Sequence, residues 1–293
     1  MRRTFPVGLR IVGLLCAVAL LSHPTSAASQ TATTQQNSSA DQDDDPGGDY
    51  LKPQNLFQFL SEYKTAPGNG ATPGMSREVT TGLLNMRLDQ KFALDPQWTI
   101  ALRGDAPFLA KNPLSSANPS GDYVHGLGDA DIQAALIDKI DARWTVGFGG
   151  RLVAPTGDDL LGAGKWQIMP GFAVRYALTE LSSGSYFEPL LRYDASFAGN
   201  PSRKAISNLQ FAPTFNLGLP DRWFVTFYPS PDIRINYGPP ITGQTGRLFV
   251  PFDFRVGRKL SDDLSVSLEI GVPIIKDYPV YDFKSEVRVN LSF

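Results

Sequence analysis

Cysteine and histidine are nearly missing from this chain: one of the former and two of the latter in 293 residues. Cys16 lies in an amino-terminal segment laid out like a removable export signal, so the exported chain is expected to carry no thiol. That excludes cysteine-ligated metals, a disulfide framework and a thiol nucleophile. His23 belongs to the same stretch, which leaves His125 as the one histidine open to acid–base chemistry. Long apolar runs are missing too. The longest, Ile11 to Leu21, falls well short of the roughly 20 residues that a membrane-spanning helix needs. Nor is there an excess of positive charge. Lys and Arg total 27 against 29 acids, and loss of Arg2, Arg3 and Arg10 with the signal brings them to 24, for a net charge near −5. No basic stripe is left for a nucleic-acid backbone.

Three arginines, the apolar run and the small residues Ser26 and Ala28 make residues 1–28 an expected signal peptide of the general secretory type. Residues 29–52 form a polar tract that ends in Asp41-Gln-Asp-Asp-Asp45-Pro-Gly-Gly-Asp49. A calcium loop would need ligands alternating along a turn and a closing bidentate acid, and that spacing is absent. The tract is expected to be a disordered acidic linker. The chain has 27 Gly and 23 Pro, yet 42% hydrophobic residues and 18 Phe argue against disorder beyond the linker.

Alternation with a period of two dominates residues 53–293. At the carboxyl end Tyr281, Phe283, Val287, Val289, Leu291 and Phe293 share one parity, opposite Asp282, Lys284, Glu286, Arg288, Asn290 and Ser292. Similar strands are Phe187 to Phe197, Leu209 to Leu217, Trp98 to Leu102, Trp144 to Leu152 and Leu264 to Val272. Such a pattern fits a soluble barrel with an apolar inside or a membrane barrel with an apolar outside. Three features favour the second. Short turns near 94–97, 138–142, 178–184, 219–221 and 260–263 alternate with longer loops. An aromatic follows four of them, Trp98, Trp144, Tyr186 and Trp223, as an interfacial girdle requires. Finally, Phe293 ends the sequence on the apolar parity, like a signal for the outer-membrane barrel assembly machinery.

The expected fold is therefore all-β: an antiparallel up-and-down transmembrane β-barrel of twelve strands in the outer membrane. They fall near 54–64, 77–92, 97–108, 127–138, 143–154, 165–178, 185–198, 205–218, 222–235, 246–258, 263–273 and 281–293. The first of these also fits a helical face through Leu56, Phe59, Leu60 and Tyr63. Pro170, Pro189, Pro213, Pro251 and Pro273 are expected at bulges or rims.

The middle of the chain carries an ordered set of short strings. Gly126-Leu-Gly-Asp129 is followed by Trp144-Thr-Val-Gly-Phe-Gly-Gly150, Pro155-Thr-Gly-Asp-Asp159 and Leu161-Gly-Ala-Gly-Lys-Trp166. Phe197-Ala-Gly-Asn200, Leu219-Pro-Asp-Arg-Trp223 and Arg247 to Pro251 come later. In order and spacing, over about residues 77–293, this resembles the bacterial outer-membrane family labelled meta-pathway of phenol degradation, some relatives of which are labelled neuromedin U. Asn200 and Arg222 stand where relatives are expected to carry Asp and Gly. The resemblance implies an outer-membrane channel for small or aromatic compounds.

The glycine-rich strings do not make a nucleotide site. Asp159 stands where a phosphate loop needs Gly, Trp166 follows the Lys where Ser or Thr is needed, and Gly147 to Gly150 precede no helix. A hydrolase would have to use His125 with Asp122, Asp129, Ser115, Ser116 or Ser120. The inward parity is richer. It carries Arg87, Arg103, Arg151, Arg175, Arg192, Arg234, Arg255, Lys284 and Arg288 among Asp89, Asp105, Asp131, Glu188, Asp194, Asp232, Asp253, Glu269, Asp282 and Glu286. Nearly balanced charge fits either a narrow passage for small, weakly polar solutes or a paired network that fills a structural barrel. The first reading is carried forward, with the 109–126 loop as the expected constriction. Lipid, the assembly machinery and a small solute are the expected partners, with no cofactor and no metal.

Overall fold

The computed structural model describes residues 47–67 and 78–293. The signal segment, residues 29–46 and most of the 65–76 loop lie outside the described residues. The strands are β1 (Leu56–Ala66), β2 (Val79–Ala93), β3 (Trp98–Lys111), β4 (Val124–Leu127), β5 (Asp131–Lys139), β6 (Trp144–Val153) and β7 (Lys165–Ala177). There follow β8 (Tyr186–Gly199), β9 (Ser207–Gly218), β10 (Trp223–Phe227), β11 (Ile233–Asn236), β12 (Leu248–Lys259), β13 (Leu264–Lys276) and β14 (Phe283–Ser292). All pair antiparallel, and β1 closes on β14 from Leu56↔Ser292 to Thr65↔Phe283. Two staves are interrupted: β4 and β5 both run along β3, and β10 and β11 both lie between β9 and β12. The fourteen segments thus make a closed barrel of twelve staves. Residues 56–66 are strand, not helix, with Leu56, Gln58 and Leu60 inside and Phe59 and Tyr63 outside.

The short turns are built alike. The N–H groups of Leu94, Leu219 and Leu260 donate to the carbonyls of Trp98, Trp223 and Leu264 at 2.8–2.9 Å. Asp95 accepts the N–H groups of Gln97 and Trp98, and Asp141 those of Arg143 and Trp144. A short carboxylate one residue into the turn replaces the partners that the strands can no longer supply.

Polarity is inverted relative to a soluble protein. Leu84, Met86, Leu88, Phe148, Phe172, Leu191 and Val287 face out, whereas Asp105, Glu188, Asp253, Arg255, Glu269, Lys284 and Arg288 are buried. With the sheet closed on itself by the β1–β14 ladder, this is an outer-membrane β-barrel. Register follows from the same contrast, because a one-residue slip would carry each inward charge onto the lipid face. That costs about 2–4 kcal/mol for each Arg or Lys near the midplane. Between β2 and β3 the lock is also chemical. Arg87-Leu-Asp89 meets Arg103-Gly-Asp105 head to tail, so that Arg87 stands opposite Asp105 and Asp89 opposite Arg103.

Three expectations about single aromatic and acidic residues need correction. Tyr186 is not an interfacial aromatic but is buried inside, with Arg175 over its ring; its neighbour Phe187 takes the outward position. Tyr281 precedes β14 and is also buried, its hydroxyl close to Gly271. Asp282 lies at the long-loop rim and pairs with Lys276 instead of lining the interior. The prolines depart from expectation as well. Only Pro251 stands at a register shift, while Pro189 pairs with Pro213 and Pro251 with Pro273. Residues 228–232, Tyr-Pro-Ser-Pro-Asp, form the break between β10 and β11 that Pro213 and Pro251 flank. Six prolines therefore form one belt across five staves. A missing N–H is tolerated there because the opposing chain is proline or is interrupted.

Candidate functional site: the lumen and its amino-terminal plug

The inward parity of β2, β3, β5 and β6 supplies one charged wall. Asp89 holds Arg103 through two hydrogen bonds of 2.7 and 2.6 Å, Asp105 accepts from Arg87 and Asn85, and Arg151 meets Asp131 at 3.3 Å and Gln133 at 3.3 Å. Opposite it, β12 to β14 build a denser cluster. The Lys284 ammonium donates to Asp232, Asp253 and Glu269 at 2.6, 2.9 and 2.5 Å. Arg288 reaches Glu269 and Glu286, and Ser230 donates to Glu269. Asp232 comes from the proline-bounded break, which turns this acid inward. The three acids lie close enough together to hold a metal ion, but the ammonium already occupies their centre. Arg255 is almost fully buried opposite Glu269.

On the third side, Arg192 and Gln210 share a level on β8 and β9. Both Nε and Nη2 of Arg192 donate to Gln210 Oε1, at 2.9 and 2.6 Å. Asp194 and Asn208 are buried one level above. Sequence parity indicated the wall but missed Glu62 and Lys64, which pair across the inner face of β1. The signal was present, since Gln58, Glu62 and Lys64 already share one parity.

What the sequence hid is the occupant. Residues 47–52, expected to be disordered linker, enter the barrel. Arg175 pairs with Asp49 at 2.7 Å, Glu188 accepts the N–H groups of Tyr50 and Leu51 at 3.0 and 3.2 Å, and Arg103 lies over the Tyr50 ring. Leu51 is buried against Ile137 and Ala173. This is possible because β6 presents bare backbone: a Cβ at Gly147 would stand 2.4 Å from the Leu51 side chain. The correction has a simple cause. An Asp-Pro-Gly-Gly-Asp string looks solvated, but one of its acids finds an arginine inside.

The girdle residues Trp98, Trp144 and Trp223 stand at the short-turn end, Trp144 against Tyr176 and Trp223 under Arg258. Phe293 is exposed, and its N–H donates to the Asn55 carbonyl. The 109–126 loop continues the hairpin of β3 and β4, tied by a Ser115–Asn118 bridge. The glycine strings knit adjacent loops. Asp129 accepts the N–H groups of Gly157 and Ala163, and Asp158 donates its N–H to the Leu127 carbonyl. His125 is exposed and stacks on Tyr123, and among the described residues its ring finds no hydrogen-bond partner.

Residues 40–271 match the family described as "Putative MetA-pathway of phenol degradation". No curated protein matches the chain. Among solved structures, an outer membrane channel from Pseudomonas putida F1 is similar, with 17% identity over 85% of this chain and 99% of that one and a TM-score of 0.64. The KdgM porin matches with 11% identity, 81% and 99% coverage and a TM-score of 0.42. The NanC porin matches with 10% identity, 81% and 98% coverage and a TM-score of 0.48.

Proposed function

Because this chain belongs to the phenol-degradation family of that description, we propose that it is an outer-membrane channel passing small, weakly polar or aromatic solutes by diffusion. The observation that carries the reading is the short peptide lodged in the lumen. A purely structural barrel of this size could fill its interior with side chains alone. Here the wall retreats to glycine at 147, and a segment next to β1 takes the space, held by contacts that include Arg175 on Asp49, Glu188 on the Tyr50 and Leu51 N–H groups and the buried Leu51 side chain. Such a segment can leave without breaking any strand pairing. Twelve staves lie between the eight that side chains fill and the sixteen that enclose a water-filled channel. Arg103, Asp105, Arg151, Arg175, Glu188, Arg192, Asp194, Arg255, Glu269, Lys284, Glu286 and Arg288 are the lining that a solute would meet. Phe293 is the proposed contact for the assembly machinery.

An interfacial hydrolase is the competing class, and the His125 ring, stacked on Tyr123 with no serine or carboxylate hydrogen-bonded to it among the described residues, lends it no support. Conductance of the refolded exported chain in a planar bilayer tests the channel. Discrete steps that survive His125→Ala support it. Silence from a correctly folded, heat-modifiable barrel refutes it.

A further inference from the structure

The rows of inward residues across β5 to β9 leave one hollow. One row reads Gln133, Arg151, Met169 and, at the level above Arg192, Asp194; the next reads Ala135, Gly149, Gly171, Arg192 and Gln210. Two successive glycines remove the side chains that would fill the second row. Leu51 and Tyr50 of the plug form the floor, and Arg151, Met169, Leu190 and Arg192 complete the lining. The free space is about 50 Å³. That is room for a carboxylate group and too little for an aromatic ring, since a cavity that takes benzene measures about 150 Å³.

The charge around this hollow is not balanced locally. Arg103 is held by both oxygens of Asp89, and Arg151 has Asp131. Arg192 has only the neutral amide of Gln210, and among the described residues no carboxylate reaches salt-bridge distance of it. Two of its five donors point at that single oxygen, and the rest of the fork is available. A guanidinium inside a barrel, next to a second arginine and beside a wall of bare glycine, is a site for a planar anion.

We propose that the Gly149–Gly171 hollow binds the carboxylate of a small organic acid on Arg192, with Arg151 alongside and the Tyr50–Leu51 backbone beneath. The site rests on the reading of the lumen as a solute route, and it narrows that route's cargo to molecules carrying one carboxylate. Larger bodies would extend from the hollow up the lumen, leaving only the acid group at the floor.

The test uses the refolded exported chain and ¹³C-labelled formate, whose line width reports binding without any transport. Wild type broadens the line. Arg192→Gln weakens binding by about tenfold, the loss of one charge-assisted partner. Gln210→Glu, an isosteric change that hands Arg192 a carboxylate of its own, does the same while Arg192→Lys keeps part of the effect. A heat-modifiable band shows that each variant is folded. No broadening by wild type, or equal broadening by all four proteins, overturns the site. Bilayer conductance is recorded on the same samples. Conducting protein without Arg192-dependent binding sinks this proposal and leaves the channel standing; silent protein with Arg192-dependent binding keeps the anion site and removes the channel.

Discussion

Replacing Glu188 by alanine should release the plug, and the size of the effect can be worked out beforehand. Glu188 accepts the N–H groups of Tyr50 and Leu51 at 3.0 and 3.2 Å from a fully buried position. A typical intramolecular hydrogen bond contributes about 0.5–1.5 kcal/mol net, so about 1 kcal/mol each is a fair allowance. The sum of about 2 kcal/mol is roughly a thirtyfold rise in the population with the plug out. Because the exported chain is expected to lack cysteine, Leu51→Cys gives a single reporter thiol. Its reaction with a water-soluble maleimide should be slow in an otherwise native barrel and about thirtyfold faster when Glu188→Ala is added. If the reporter reacts at the rate of a free thiol before Glu188 is touched, or if the second change leaves the rate alone, the argument for a latched plug fails.

Three more outcomes follow from the same geometry. Gly147→Ala should speed labelling of a Tyr50→Cys reporter, which keeps Leu51, in a folded barrel, because its methyl meets only the Leu51 side chain closely; Gly149→Ala should give little heat-modifiable protein, because its methyl would lie 2.2 Å from the Ala134 carbonyl oxygen. Lys284→Met should leave Asp232, Asp253 and Glu269 without their counter-ion and lower stability by about 3–5 kcal/mol. Added calcium should recover part of that loss in the variant's thermal midpoint and leave the wild type unmoved. Asp141 lies in a solvent-exposed turn, and the backbone N–H groups of Trp144 and Arg143 hold its carboxyl below the usual range. A folded-state value below the unfolded one means that its contribution is complete above the unfolded value and fades as pH falls through the folded one. Acid unfolding of Asp141→Asn should accordingly lack the part of the wild-type pH dependence that falls in this window.

Much of the barrel was legible because period two and the recurrent short turn are local signals. Trp98, Trp144 and Trp223 mark the same point in three hairpins, and the turn geometry repeats there. The misreadings fall where a local rule meets a tertiary fact. Tyr186 and Phe187 are adjacent aromatics, and only the parity of Glu188 and Leu191 decides which faces lipid. Each strand proline taken alone suggests a bulge or rim; the belt across β8 to β13 exists only once register sets Pro189 beside Pro213 and Pro251 beside Pro273. Pairing among the lumen charges depends on register, which the Arg87-Leu-Asp89 and Arg103-Gly-Asp105 strings could have supplied. The plug was out of reach, since nothing local in Asp49-Tyr-Leu51 points to Arg175 and Glu188, more than 120 residues away.

The plug also behaves as a ligand on a leash. Residues 47–53 run directly into β1, so a released segment stays within a few ångströms of its pocket at an effective concentration in the millimolar range or above. Dilution cannot wash it out, and protein concentration should not alter its occupancy. A solute that competes for the same space works against a fixed rival and needs an affinity, or an abundance, set by that tether. On the channel reading proposed above, the few residues ahead of the first strand set a threshold of solute below which the barrel would stay shut.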